Sequence, residues 1–234
     1  MTIQLRQCPG SALDRRDANV LSTLLSRAFF DDPILAWLFP NPANRLSRQQ
    51  AFFERDIRYR LGSTQVVFEA ERRAVAFWHP PGTWGSSVRA LGVAPAFVSL
   101  IGPRARRAYR LLREVDARHP SDAHWYLSHL AVSPSVRNLG IGTLLVRTGL
   151  DLADADRTGC YLETANPTNV ALYRRNGFEP SGTVTVAGAP AIETMWRPPT
   201  PPVGPRLDRT GRLELAVPRD ATDAPADDRT EGHP

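Results

Sequence analysis

The sequence predicts an α/β protein of the mixed α+β kind, with a central sheet flanked by helices. Three observations predict it. Segments of helical period alternate with short apolar runs over residues 3–197. Residues 65–70 and 73–78, joined by the tight Glu71-Arg72 turn, form a hairpin pattern. The apolar run 124–132 passes through Arg137-x-x-Gly140-x-Gly142 directly into an amphipathic helical segment.

Taken in order, residues 3–7 read as a first strand, and Asp14 is an N-cap for a helix to Ala28 with Val20, Leu21, Leu24, Leu25 and Ala28 at helical spacing. Asp31-Asp32-Pro33 opens a short helix bearing Ile34, Trp37, Leu38 and Phe39. Pro40 and Pro42 interrupt it before a third helix over 46–61. Pro80-Pro81-Gly82 ends the hairpin, and 84–118 reads as helical with a break at Gly102-Pro103. The strand 124–132 is followed by a helix over 140–156, with Ile141, Leu144, Leu145, Thr148 and Leu152 on its inner face and Gly159 as its stop. Residues 160–164 form a buried strand, 169–176 a short helix closed by Gly177, and 184–186 with 191–196 a final strand pair. One domain is therefore expected over 1–197. The segment 198–234 holds eight prolines among polar and acidic residues and is expected to be disordered, apart from a stray edge strand at 213–217.

Composition removes several classes of chemistry. All 29 cationic residues are Arg, so neither a P-loop lysine nor a Schiff-base lysine exists. Cys8 and Cys160 stand far apart outside any metal or disulfide spacing, and no metal site is expected. Neither a secretory leader nor a membrane-length apolar run is present, so the reading is a cytoplasmic protein without membrane partners. The formal charge of +5 raises the question of nucleic acid. Its densest group, Arg104, Arg106, Arg107, Arg110 and Arg113, fits one solvated helix face, with a phosphate-rich partner as the alternative.

The glycine turn carries the most chemistry. Between a strand and a helix it aims backbone N–H groups and a helix dipole at one point, which suits a pyrophosphate. A dinucleotide fingerprint would need a third glycine where Leu145 stands. Glu163, mid-strand among apolar neighbours, is costly unless paired or functional. His129 alternates with Trp125, Leu127 and Ala131 on one strand face, and an imidazole suits base chemistry near neutrality.

Val132-x-Pro134-x-x-Arg137-x-x-Gly140-Ile-Gly142-x-x-Leu145 resembles the acyl-CoA-binding motif of the GCN5-related N-acetyltransferases, the GNAT family. Asn169-Val-Ala-Leu-Tyr173-Arg-Arg-Asn-Gly177-Phe178 resembles that family's second signature. Within the family, residues 124–197 are similar to the puromycin N-acetyltransferase-like branch, through Trp125-Tyr-Leu, Leu162-Glu-Thr-Ala and Met195-Trp196. The N-terminal half is similar more loosely, in Ala28-Phe-x-Asp-Asp-Pro and Trp78-x-Pro-Pro-Gly82.

The resemblance implies a mostly antiparallel sheet with splayed strands and acetyl-CoA as co-substrate. Leu130, Ala131 and Val132 would pair with pantetheine, and Arg137, Asn138, Leu139, Gly140, Ile141, Gly142 and Thr143 would hold the pyrophosphate. Asn169 would contact the pantetheine arm and Tyr173 would protonate the departing thiolate, unless Tyr173 is simply a core aromatic. Glu163 or His129 would serve as the base; a structural carboxylate and a buried neutral histidine are the plain alternatives. Phe30, Trp37 and Trp78 would border the acceptor, and Asp31 or Asp32 would either pair with an amine or merely start a helix. The expected activity is direct acetylation of a small-molecule amine, antibiotic- or metabolite-like, by a monomer or homodimer. The alternatives are acetylation of a protein N-terminus or lysine, and a non-catalytic module gripping phosphate or nucleic acid.

Overall fold

The computed structural model describes residues 3–85, 95–200, 206–207 and 213–214. The chain divides into two units, Met1–Pro201 and Pro202–Pro234. The first holds a seven-stranded sheet of β1 (Leu5–Pro9), β2 (Gln65–Glu69), β3 (Ala74–His79), β4 (His124–Val132), β5 (Gly159–Thr164), β6 (Glu179–Val184) and β7 (Ile192–Arg197). Their spatial order is β1-β2-β3-β4-β5-β7-β6. Only β4 and β5 run parallel; every other neighbour is antiparallel. In the second unit, Arg206–Leu207 pairs antiparallel with Leu213–Glu214; residues 215–217 of the strand expected at 213–217 lie outside the described residues. The rest of the expected disordered segment beyond Thr200 lies outside the described residues.

Helices cover both faces. On one, α1 (Arg15–Ala28) and α3 (Pro42–Arg60) bury Leu21, Leu25, Phe53 and Ile57 against Val66, Phe68, Val75 and Phe77. A capping box between Asp14 and Asp17 starts α1, and Asp32 starts α2 (Pro33–Leu38) by accepting from the Ile34 and Leu35 N–H groups. On the other face, α6 (Ile141–Ala155) and α7 (Pro167–Arg175) pack on Ala74, Ala76, Trp78, Leu127 and Leu162. Between hairpin and β4 lie α4 (Pro95–Ile101) and α5 (Ala105–Asp116), separated by a 3₁₀ turn at Gly102–Arg104. The expected helix also covered 86–94, which are outside the described residues. Helix α5 buries Ala108, Leu111 and Val115 and leaves Arg106, Arg107, Arg110 and Arg113 exposed, which is the solvated-face arrangement.

Four expectations need correction. Helix α3 begins at Pro42, not 46: a proline suits the first helical position, and Asn41 caps the turn by accepting from the Ala43 N–H at 3.0 Å. The strand read at 184–186 is instead Glu179–Val184. It is an exposed edge strand with a register shift between Pro180 and Gly182, so it carries no apolar alternation to read. Helix α6 stops at Ala155, where Arg157 takes a left-handed conformation, while Gly159 already belongs to β5. Its buried stripe is Ile141, Leu145, Val146, Gly149, Leu150 and Ala153, with Leu144 39% exposed, because Gly149 is a packing surface.

A Cβ on Gly149 would overlap the indole of Trp78, which is wholly buried between sheet and helix. The indole has nowhere to move. Gly149→Ala is therefore expected to destabilise the fold by about 1–3 kcal/mol through overpacking, despite alanine's better helix propensity. Urea denaturation of the two proteins checks this; an equally or more stable variant would contradict the packing.

Candidate active site

The site is organised by a break in the sheet. β4 pairs with β5 from His124–Gly159 only as far as Leu127–Leu162. Beyond that point the strands separate, and β5 continues with β7 alone through Glu163 and Thr164. A bulge marks the fork: Phe77 pairs with His129 while Trp78 pairs with Leu127, so Ser128 is left over. Its hydroxyl donates to the Phe77 carbonyl at 3.3 Å.

An inserted residue in a strand exchanges the faces of everything after it. Trp125 and Leu127 lie on the α6 face, but His129 and Ala131 lie on the α3 face. The expectation that these four share a face is thus overturned by the bulge.

At the open side of the fork lies a cavity of about 990 Å³. Leu130 and Val132 line it, as do Arg137, Asn138, Gly140, Ile141, Gly142 and Thr143 of the glycine turn and Asn169 of α7. Gly140 adopts φ +76°, Asn138 φ +62°, and α6 has no side-chain cap. The backbone N–H groups of residues 138–143 consequently have no acceptor among the described residues, and all stand at the positive end of α6. Ala131 and Leu139 do not line the cavity: the bulge buries Ala131 on the other face, and Leu139 is half exposed.

The far wall was only partly legible in the sequence, which singled out Phe30, Asp31 and Asp32 but not the arginines beside them. It comes from Arg27, Phe29, Phe30, Asp31 and Asp32 at the end of α1, with Asn166, Thr168, Leu172 and Arg175 of α7. Arg27, Arg137 and Arg175 are three arginines in the lining of this one cavity. Asp31 is exposed, 3.6 Å from Arg45. Asp32 is raised from the usual carboxylate range by burial, against two backbone N–H bonds to one of its oxygens.

Tyr173 is buried at the root of α7, edge-on to Phe178 at 6.0 Å. Its hydroxyl has no hydrogen-bond partner among the described residues, and burial, aided by the Asp32 carboxylate, raises its pKa strongly. Phe30 borders the large cavity and Trp37 a smaller one, but Trp78 borders neither. It faces α6, because successive β3 residues alternate faces and Phe77 takes the α3 side. The expected acceptor role for Trp78 is overturned on that ground.

On the α3 face, Glu163 accepts a hydrogen bond from the Tyr126 hydroxyl at 2.6 Å. Its other oxygen, Oε1, is buried without a hydrogen bond, 3.7 Å from His119 Nδ1. His119 meets His124 at 3.0 Å and lies stacked under Trp84. His129 is enclosed by Phe29, Phe53 and Phe77, with Nε2 3.6 Å from Asp56. Burial pushes its imidazole down despite the pull of Asp56. Burial alone would raise Asp56; the Arg60 guanidinium, with His129 and His79 beside it, holds the carboxyl below its usual range.

Among the described residues no group of His, Cys, Asp and Glu could hold a metal, and no helix is long and apolar enough to cross a membrane.

Residues 63–178 match the model of the acetyltransferase (GNAT) family. A Corynebacterium glutamicum protein, described as histone acetyltransferase HPA2 and related acetyltransferase, is 26% identical with a TM-score of 0.63, over 87% of this chain and 100% of that one. Two further structures share the fold: arylalkylamine N-acetyltransferase 2 from Aedes aegypti (12% identity, TM-score 0.52, 83% and 98% covered) and a PaiA N-acetyltransferase from Thermoplasma acidophilum in complex with coenzyme A (11%, 0.51, 85% and 99%). The splayed mixed sheet and glycine-turn cavity are those of an acyltransferase. The chain belongs to the GNAT family of acetyltransferases.

Burial pushes His79 down to about 3 and lowers His124 and His129 from 6.5. The unfolded chain then binds more protons than the folded one between pH 6.5 and about 3, so stability falls as pH falls through that window. Each such histidine contributes a slope of at most about 1.4 kcal/mol per pH unit. Chemical denaturation from pH 7 to 4 is expected to show this loss, and His79→Phe to flatten the slope by one histidine's share. An unchanged slope in the variant would mean that His79 titrates normally.

Proposed function

We propose that the protein is an acetyl-CoA-dependent N-acetyltransferase acting on a small-molecule amine, in the manner of the puromycin N-acetyltransferase-like branch. One observation carries the reading. Past the end of the β4–β5 pairing lies a large cavity, lined by the open edge of β4 and by the glycine turn with its unbonded backbone N–H groups. The cavity volume of about 990 Å³ sits at the upper end for ligand sites and suits a long, anionic donor.

In this reading the turn from Arg137 to Thr143 holds the pyrophosphate, with Arg27 and Arg175 on its flanks. The unpaired edge of Leu130, Ala131 and Val132 pairs with the pantetheine arm, and Asn169 borders it. The amine nitrogen attacks the thioester carbonyl, the C–S bond breaks, and the acetyl group passes directly to nitrogen. Tyr173 gives the departing sulfur its proton; a buried phenol held in its neutral form is suited to that task. Glu163, or a water held on its unbonded Oε1, takes the proton released by the ammonium. His129 is the weaker base because aromatic rings shield it on several sides.

Thermal melting is expected to rise on adding acetyl-CoA, by about 2.7 kcal/mol of linked stability at one hundred times Kd. Tyr173→Phe should keep that rise while kcat drops roughly a hundredfold in a thiol-release assay with an accepted amine. Glu163→Gln should remove the acidic limb of the kcat/KM profile, whereas His129→Gln should retain it. Full turnover by Tyr173→Phe would remove the phenol from the acid role, and retention of the limb in Glu163→Gln would remove the carboxylate from the base role.

A further inference from the structure

Glu163 is bonded through one oxygen only. Tyr126 donates to Oε2 at 2.6 Å, while Oε1 is buried without a hydrogen bond. Opposite it, at 3.7 Å, stands His119 Nδ1, which is likewise buried and unbonded. Two orphaned polar atoms aimed at each other call for a physical reason.

The hydrogen bonds behind His119 fix what it presents. His124 Nδ1 lies 2.6 Å from the Asp122 carbonyl oxygen. A carbonyl only accepts, so this nitrogen carries the proton. Burial lowers His124 from its ordinary value, which leaves the ring neutral near pH 7 and its Nε2 bare. His119 Nε2, 3.0 Å away, is therefore the donor to it. A neutral His119 with its proton on Nε2 turns a lone pair at Nδ1 toward Glu163. Beside an ionised Glu163, two lone pairs meet in a dry space, and one proton between them satisfies both atoms. The ring is also held in place. Trp84 stacks on His119 at 5.3 Å, and Tyr126 and Tyr161 meet it edge-on at 5.0 and 4.9 Å.

We infer that His119 is the proton-accepting partner of Glu163, and that His124 and the Asp122 carbonyl hold it in the tautomer this task requires. The inference rests on the proposed acetylation and supplies the next step of its proton. An ammonium N–H bond breaks and the proton joins Glu163 Oε1. It then passes to His119 Nδ1, leaving a carboxylate beside an imidazolium protonated on both nitrogens. Proton-transfer pairs are commonly longer than a hydrogen bond until the reactants bind. The imidazolium returns the proton to water as product leaves; the chain between the two histidines is exposed at Ser121, Asp122 and Ala123. Glu163 is then free to act again.

Nitrogen-15 NMR of the full chain, labelled at histidine, reads the tautomers and titrations directly. His119 is expected in the Nε2–H form and His124 in the Nδ1–H form. Glu163→Gln should lower the His119 midpoint by about one unit or more, because an adjacent opposite charge is lost. The other polar groups around His119 stay as they are: His124, Tyr126, Tyr161, and its chain neighbour Arg118, which pairs with Glu114. His124→Phe should move the His119 proton toward Nδ1; should that variant not fold, Glu163→Gln still decides. A wild-type His119 with its proton on Nδ1, or a midpoint unmoved by Glu163→Gln, overturns the inference.

Turnover gives a second reading, with acetyl-CoA and puromycin, 2-phenylethylamine or glycinamide as the amine. His119→Ala should lose roughly tenfold or more in kcat, and added imidazole should restore it to within about threefold by occupying the vacated space. His119→Gln, which fills that space, should lose as much and not respond to imidazole. Both variants should keep the melting rise with acetyl-CoA. An unchanged kcat in His119→Ala, or a loss that imidazole leaves untouched, overturns the inference. No melting rise in the wild type would defeat the enzymatic reading, whereas the NMR result judges the His119–Glu163 pair with or without turnover.

Discussion

The structure turns on the place where β4 and β5 stop pairing. Two parallel strands that remained in register to their ends would close the sheet and satisfy every backbone group along it. Here the ladder ends at Leu127–Leu162, and the bulge at Ser128 bends β4 away while β3 still holds its other edge. The consequence is a row of backbone groups on Ser128–Val132 with no partner on the β5 side. An open edge inside a folded domain is a liability unless a guest completes it. The glycine turn beyond it adds a second set of unmet N–H groups at residues 138–143, and the same cavity borders both.

The same bulge also separates the two halves of the chemistry. By exchanging faces, it puts His129 with Phe29, Phe53, Phe77 and Asp56, and leaves Trp125 and Leu127 to pack under α6. The α3 face thus gathers the ionisable groups, His79, His119, His124, Glu163, Asp56 and Arg60, amid stacked aromatic rings. Burial there works in one direction on each kind of group. It lowers His79, His124 and His129 and raises the phenols of Tyr126 and Tyr161, which favours their neutral forms around a retained Asp56–Arg60 pair. A neutral, dry surrounding is a setting in which one carboxylate can hold or release a proton with large effect.

Much of this architecture was legible in the residues. The hairpin at Glu71-Arg72, the Asp14 and Asp32 caps, and the strand–turn–helix around Gly140 each follow from local chemistry, and each is present. The errors have a common origin in distant packing. Gly149 reads as a weak helix residue until the Trp78 indole is seen lying on it, and Glu179–Val184 reads as a loop because an edge strand exposes its side chains. Two arginines of the large cavity were missed for the same reason. Nothing in the sequence singles out Arg27 or Arg175, and only the fold brings both into the lining of the cavity that Arg137 also borders.

The sequence by itself determined the mixed α/β class, the glycine turn between strand and helix, and the family, because these rest on neighbours a few residues apart. Tertiary structure alone decided which face His129 occupies, how far β4 and β5 pair, and which residues line each cavity. Those depend on a single unpaired residue, Ser128, and on contacts between segments far apart in the chain. A one-residue offset leaves composition and periodicity almost unchanged yet reverses the direction of every side chain beyond it.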